Sequence, residues 1–275
     1  MPFSPEDIRR VGEILAAVAL SEIMPRFRRL TPAQIRQKTS AADLVTEADE
    51  AAEAAIAAAL TAAFPGCAII GEESAHKEPA LLDLIAEAPL AFIVDPVDGT
   101  RNFASGLPLF GVMTGVTSRG ETVAGVIHDP ISHDCAYAVR GGGAWLEQED
   151  GSRAELRVAD PLPVAEMDGF IGTNYLPEVL RRTVGANQSR LGTSNSLRCA
   201  AHEYRTAATG HCHLLLYSRL MPWDHAAGVL IHREAGGYSA QFDGRLYRPT
   251  QFGGGLICAP DEASWHLARA ALLEA

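Results

Sequence analysis

Asp95 and Asp98 follow directly on an apolar run, residues 90–94, that reads as a buried strand. Pro96 has no amide hydrogen and holds Asp95 extended, so this strand exit is rigid and its two carboxylates can converge on one point. Gly99 then lets a backbone or an anion come close. Like charges a few ångströms apart repel strongly when partly buried, and a multivalent cation is one way to keep both ionised. An acidic turn is the other reading, because Asp-Pro and Asp-Gly are common turn pairs. Further acids raise the same question. Glu72 and Glu73 follow a short apolar strand, residues 68–70, either as a second strand-exit pair or as a solvated loop. Asp224, behind Pro222 and Trp223, stands at the start of a helix, as a ligand or as its cap. Thr46 and Asp49 make a capping box, which by itself accounts for Asp49.

The elements that must position these residues alternate along the chain. Ser4, Pro5 and Asp7 give an N-cap, a first-turn proline and an N3 acid, and Ile8, Val11, Leu15 and Val18 follow at helical spacing as far as Pro25. A polar segment, residues 31–42, leads to an alanine-rich helix that Thr46 opens and that ends near Phe64, Pro65 and Gly66. A loop and short helix over 81–86 then deliver the central strand. From residue 107 to about 158, apolar runs broken by turn residues predict consecutive antiparallel strands. Gly141, Gly142 and Gly143 read as a turn, since neither a Lys-Ser/Thr pair nor a helix follows them as a phosphate loop requires. Beyond Pro161 the pattern gives a strand near 168–172, a helix near 177–183, a longer helix over about 196–208 and an apolar strand over 211–217. The Asp224 helix comes next, and Ala226, Ala227 and Gly228 allow very close packing against its first turn. A strand near 255–259 and a helix over about 261–273 close the chain.

With 275 residues, 47% of them hydrophobic and 21% charged, the chain can build one large domain or two interlocked smaller ones. Its formal charge of −11 argues against a general binder of phosphate backbones, so no nucleic-acid partner is expected. Cys67, Cys135, Cys199, Cys212 and Cys258 are far apart, without a CxxC pair, and read as reduced core residues. The first residues lack the basic and apolar regions of a secretory leader, and no apolar run reaches the ~18 residues of a membrane span. A cytoplasmic enzyme with no membrane attachment is the expectation.

GEES at 71–74, DPVDGTRNF at 95–103 and WDHAAG at 223–228 resemble the three signatures of the inositol monophosphatase family, the magnesium-dependent, lithium-sensitive phosphomonoesterases. Lys38 and DLVTEAD at 43–49 fit the same pattern upstream, and the resemblance covers about residues 38–260. It implies a hydrolase of the α/β (α+β) class with the layered αβαβα sugar-phosphatase fold. An antiparallel sheet would lie in residues 1–160, with most metal ligands. A smaller mixed sheet would lie in 161–275, with Asp224 and the segments that select substrate. The resemblance further implies that Glu72, Asp95, Asp98, Asp224 and the carbonyl of Val97 hold two or three Mg²⁺ ions, with Mn²⁺ as a possible substitute. All-oxygen donors suit such hard cations, and the lack of paired Cys or His ligands disfavours zinc. On the same ground Glu72 and Thr100, with Asp49 behind Thr100, orient an attacking water. Asp98, Gly99, Thr100, Thr193 and Arg219 meet phosphate or substrate, while Glu73 supports the ligands from behind or holds a third metal weakly and Lys38 has a structural or electrostatic role near the site. The implied partner is a small phosphorylated metabolite, and the implied assembly a homodimer.

Departures from the family bear on the leaving group. Inositol-specific members carry an acid about six residues before the Trp of the WD signature, and here Tyr217 stands in that place. The segment between Thr193 and Gly210 is longer than in those members and holds Ser194, Asn195, Arg198, His202, Glu203 and Arg205. Arg219 is either a substrate contact or a surface charge. Inositol monophosphate is therefore the default ester, beside histidinol phosphate, fructose 1,6-bisphosphate or a 3′-phosphonucleotide. A catalytically silent binding or regulatory relative is the alternative outside enzymology.

Overall fold

The computed structural model describes residues 3–40 and 43–274, apart from the side chains of residues 39, 40 and 43. Helix α1 (Pro5–Val18) opens on its capping box: Ser4 Oγ accepts from the Asp7 amide and Asp7 accepts from the Ser4 amide. It runs on through a π turn, Ala19–Ile23. Strand β1 (Ile35–Ser40), in the polar segment, pairs antiparallel with β2 (Asp43–Thr46), just beyond it; residues 41 and 42 lie outside the described residues. The hairpin escaped the sequence reading because it lacks the apolar alternation of a half-buried strand. Helix α2 (Glu47–Ala63) starts from its Thr46 cap.

Seven strands follow in sheet order as in sequence order: β3 (Ala68–Gly71), β4 (Ala91–Asp98), β5 (Gly111–Ser118), β6 (Glu121–Asp129), β7 (Asp134–Val139), β8 (Ala144–Glu147) and β9 (Arg153–Glu155). All neighbours are antiparallel except β3 and β4, which run parallel with Gly71 opposite Val94. Helices α3 (Glu72–Lys77), α4 (Leu84–Glu87) and α5 (Thr100–Ala104) fill the connections on either side of β4. One alternative is decided here and one expectation corrected. Glu72 and Glu73 follow β3 directly and open α3, so they are a strand-exit pair and not a solvated loop. The central strand does not stop at Asp95 but continues to Asp98, with its register broken between the two, where Pro96 cannot donate to the ladder.

A second, mixed sheet has the order β11-β10-β12-β14-β13, built from β10 (Asp168–Ile171), β11 (Thr193–Asn195), β12 (Leu214–Tyr217), β13 (Tyr238–Gln241) and β14 (Leu256–Ala259). Helices α6 (Glu178–Asn187), α7 (Ala200–Ala208), α8 (Pro222–Glu234) and α9 (Glu262–Leu273) complete the described elements. The helix expected from 196 begins only at Ala200, because Leu197 is drawn out of helical geometry by side chains on two sides. Its amide donates to Glu203 and its carbonyl accepts from Asn102.

Three apolar cores stack these elements into layers. Ile8, Leu15, Ile56 and Leu60 of α1 and α2 meet Phe92, Val94 and Val116 on one face of the large sheet. Met113, Ile127 and Ala136 on its other face meet Tyr204 of α7, Ala227 and Ile231 of α8, and then Leu215 and Cys258 of the small sheet. Leu214, Leu216 and Ile257 pack outward against Trp265 and Ala268 of α9 and Val184 of α6. The order is αβαβα, as the resemblance implies. What α8 packs against so closely is the backbone of the large sheet: a Cβ on Gly125 would stand 2.9 Å from the Ala227 Cα.

Candidate active site

Parallel pairing makes the first step of the site. With Gly71 opposite Val94, the next residues, Glu72 and Asp95, leave the same edge of the sheet side by side. The bulge in β4 then lets Asp98 join Asp95 although two residues, Pro96 and Val97, separate them. Asp224, on the first turn of α8, completes the group: one carboxylate oxygen from each of Asp95, Asp98 and Asp224 lies within 4.8 Å of the other two. Asp224 makes no cap hydrogen bond, so capping does not account for it. The acids open into a cavity of about 240 Å³ that is also lined by Glu72, Val97, Gly99, Thr100 and Arg219.

Each acid is held in a defined way. Asp95 Oδ1 accepts the Val97 amide at 3.1 Å. Asp98 Oδ2 accepts from Cys199 Sγ at 2.9 Å and from the Ala201 amide at 2.7 Å, which leaves its other oxygen to face the cavity group. Asp49 divides its two oxygens, and so satisfies both readings of the sequence. Oδ2 closes the capping box with Thr46, while Oδ1 lies 3.0 Å from Thr100 Oγ1, whose other acceptor is the Val97 carbonyl at 2.9 Å. Lys38 Nζ bridges Glu72, at 2.7 Å, and Glu73. Glu53 in turn accepts the amides of Glu73 and Ser74, which anchors the start of α3.

The electrostatics describe a site short of positive charge. Burial, reinforced by Glu72, Asp98 and Asp224, pushes Asp95 well above the usual carboxylate range. Burial and then Glu72 and Asp98 do the same to Asp224, against a weaker pull from Arg219. Burial raises Asp98 too, opposed by its Cys199 and Ala201 hydrogen bonds. Among the described residues none of the three has an ion-pair partner. Mutually repelling buried carboxylates, all oxygen donors, are a fit for a hard divalent cation. Behind them, burial and the Glu72 charge bring Glu73 to about 7 despite Lys38. For Lys38 itself burial works downward, and the two glutamates outweigh it.

Of the residues anticipated from sequence, the structure brings Glu72, Asp95, Val97, Asp98, Gly99, Thr100, Arg219 and Asp224 to one cavity, with Asp49, Glu73 and Lys38 directly behind. It does not bring Thr193 there. Thr193 is exposed on β11 and its hydroxyl bonds Asp168, a strand pairing that keeps it from the cavity. Sequence reasoning also missed Cys199, taken for an inert core thiol, and Asn102, whose amide ties the carbonyls of Leu109 and Leu197 together. Asn102 lies inside the DPVDGTRNF signature, which was the available signal; Cys199 had none.

Comparison with known proteins decides the kinship. A model of the inositol monophosphatase family matches residues 4–274. The chain belongs to the inositol monophosphatase family. Members of this family are phosphatases, generally magnesium-dependent. An inositol-1-monophosphatase of Mesorhizobium japonicum is 35% identical over 216 residues, covering 74% of this chain and 73% of the relative. A fructose-1,6-bisphosphatase/inositol-1-monophosphatase of Thermotoga maritima is 29% identical over 245 residues, 89% of this chain and 86% of that one. The crystal structure of the extragenic suppressor protein suhB from Bartonella henselae superposes with a TM-score of 0.81 at 27% identity, over 97% of this chain and 98% of that one. Among the described residues no helix is long and apolar enough to cross a membrane.

Proposed function

We propose that the protein is a Mg²⁺-dependent phosphomonoesterase of small phosphorylated metabolites, with inositol monophosphate as the default ester. The single observation behind this is the meeting of Asp95, Asp98 and Asp224 within 4.8 Å in the lining of one cavity. Asp95, Asp98, Asp224, Glu72 and the Val97 carbonyl would hold the ions, so that residues 1–160 and residues 161–275 both contribute. Bound there, Mg²⁺ supplies charge that makes water a nucleophile near neutral pH and that stabilises the departing alkoxide. The rest falls to the chain. Thr100, held by Asp49, and Glu72 orient the water for in-line attack on phosphorus. The amides of Thr100 and Arg101, at the start of α5 behind the left-handed Gly99, precede the first turn's bonds to the Gly99 carbonyl and are free to donate to phosphate oxygens. Lys38 holds Glu72 and Glu73 side by side through one ammonium.

Several relatives bear a name of another kind: a Nus factor SuhB of Escherichia coli is 33% identical over 202 residues, so a silent binding role is the second reading. The full set of signature acids favours the enzyme. Release of inorganic phosphate from inositol 1-phosphate and p-nitrophenyl phosphate, with Mg²⁺ and after chelation, tests it. Turnover that needs Mg²⁺ and disappears in Asp95→Asn supports the phosphatase, and no release from any ester under either condition refutes it.

A further inference from the structure

Three arginines share the cavity with the acids. Arg101, Arg198 and Arg219 all line it, and among the described residues none of them has an ion-pair partner. Two of the three are placed with unusual care. Arg219 lies over the Tyr175 ring with its guanidinium carbon 4.4 Å from the centroid, and the Tyr175 amide bonds Ser218 Oγ. The Arg219 carbonyl is 2.9 Å from Nε2 of the buried His225. A carbonyl only accepts, so His225 donates from Nε2 and takes the Tyr204 hydroxyl on Nδ1, 3.0 Å away, which fixes the loop from both sides.

Arg198 is held against its own preference. Its φ of +55° is in the left-handed region, which is unfavourable for a residue with a Cβ and persists only where the surroundings impose it. Here they do. Glu203 Oε1 accepts the Leu197 amide at 2.9 Å and the Ser196 hydroxyl at 3.3 Å, Asn102 holds the Leu197 carbonyl at 2.8 Å, and Cys199 is tied to Asp98. Glu203, which also lines the cavity, therefore spends that oxygen on the loop. The Tyr217 hydroxyl beside it is buried, makes no hydrogen bond of normal geometry and lines the same cavity. Arg198 and Arg219 thus add positive charge and planar donors to a lining that also holds Asn174, Ser196 and Ser218.

We infer that Arg198 and Arg219 form a second anion site, so that the preferred substrate is a phosphomonoester whose leaving group carries a further phosphate or carboxylate. This rests on the phosphomonoesterase reading and narrows it to bianionic esters. Planar guanidiniums bind either group in the same way, by paired charge-assisted hydrogen bonds. The class of reaction that supplies such a substrate is one that leaves two anionic groups on one small molecule.

The test compares kcat/KM for fructose 1,6-bisphosphate, 3-phosphoglycerate, inositol 1-phosphate and p-nitrophenyl phosphate in saturating Mg²⁺. Wild-type protein should favour one of the two bianionic esters over inositol 1-phosphate by about a hundredfold, about tenfold for each guanidinium, and which one tells phosphate from carboxylate. Arg198→Gly removes the guanidinium and also relieves the left-handed backbone, so it should fold at least as well as wild type. It should cut that preference about tenfold, and Arg198→Gly/Arg219→Gln should bring it near one, the loss falling on KM, as befits one charge-assisted contact per guanidinium. Arg219→Lys should restore part of it. Equal or better use of inositol 1-phosphate by wild type, or variants that weaken all four esters alike, would overturn the second anion site while leaving the phosphatase standing. Failure to hydrolyse p-nitrophenyl phosphate as well would bring down both.

Discussion

Gly115 of β5 and Ala226 of α8 touch so closely that a Cβ on Gly115 would stand 2.6 Å from the Ala226 Cβ. Gly125 on β6 and Gly111 on β5 repeat the device, against Ala227 and against Ala201 of α7. The helices can lie on the sheet only because these positions have no side chain. Asp224 rides on that contact, two residues before Ala226, and so does the Ala201 amide that holds Asp98.

Gly115→Val should therefore separate α8 from the sheet by more than a methyl group. Overpacking of this kind costs about 1–3 kcal/mol. The expected outcome is a lowered thermal midpoint together with weakened Mg²⁺ binding by titration calorimetry. Unchanged Mg²⁺ affinity in a destabilised protein would separate the helix contact from the acids.

Asp224→Asn and Asp95→Asn should each abolish Mg²⁺-dependent phosphate release. Removing one of several mutually repelling buried charges should at the same time leave the metal-free protein as stable as wild type or more so. Mg²⁺ should raise the wild-type melting temperature, as a ligand bound to the folded state does, and leave those of the variants where they were. Scanning calorimetry with and without Mg²⁺ reads this directly, and a Mg²⁺-stabilised Asp224→Asn protein would count against the ligand assignment.

Thr100→Val keeps the shape of the residue and deletes the hydroxyl that links Asp49 to the Val97 carbonyl. If that hydroxyl positions water, kcat should fall by about 10²–10⁴ with KM little changed. Steady-state kinetics decide it: a rise in KM at constant kcat would assign Thr100 to ground-state binding instead.

Acid should unfold the protein partly through its buried histidines. Burial pushes both His128 and His232 from 6.5 down to about 4, and His232 faces Ser239 Oγ at 3.0 Å. Between those values the unfolded chain binds protons that the folded one refuses, so stability is full above pH 6.5 and is lost as pH falls toward 4. At pH 5 the loss comes to about 2 kcal/mol for His232. Urea midpoints at pH 7.5 and pH 5 should differ more in wild type than in His232→Gln, and equal shifts in the two would show that His232 titrates freely.

Local features were legible from residue type and spacing. Capping boxes at Ser4 and Thr46, the apolar run into Asp95 and the small residues after Asp224 all depend on neighbours within a turn or two, so residue type and spacing carry them. The same spacing in three signatures is what made the family legible. Tertiary structure alone decided the rest. Parallel pairing of β3 with β4 sets Glu72 beside Asp95, and the packing of α8 on bare glycines brings in Asp224 from more than a hundred residues away. Cys199 reaches Asp98 across 101 positions of sequence, and Arg198 is turned left-handed by Glu203 and Asn102 on two other elements. Contacts of that range leave no periodicity to read, because nothing in the local chain geometry requires them.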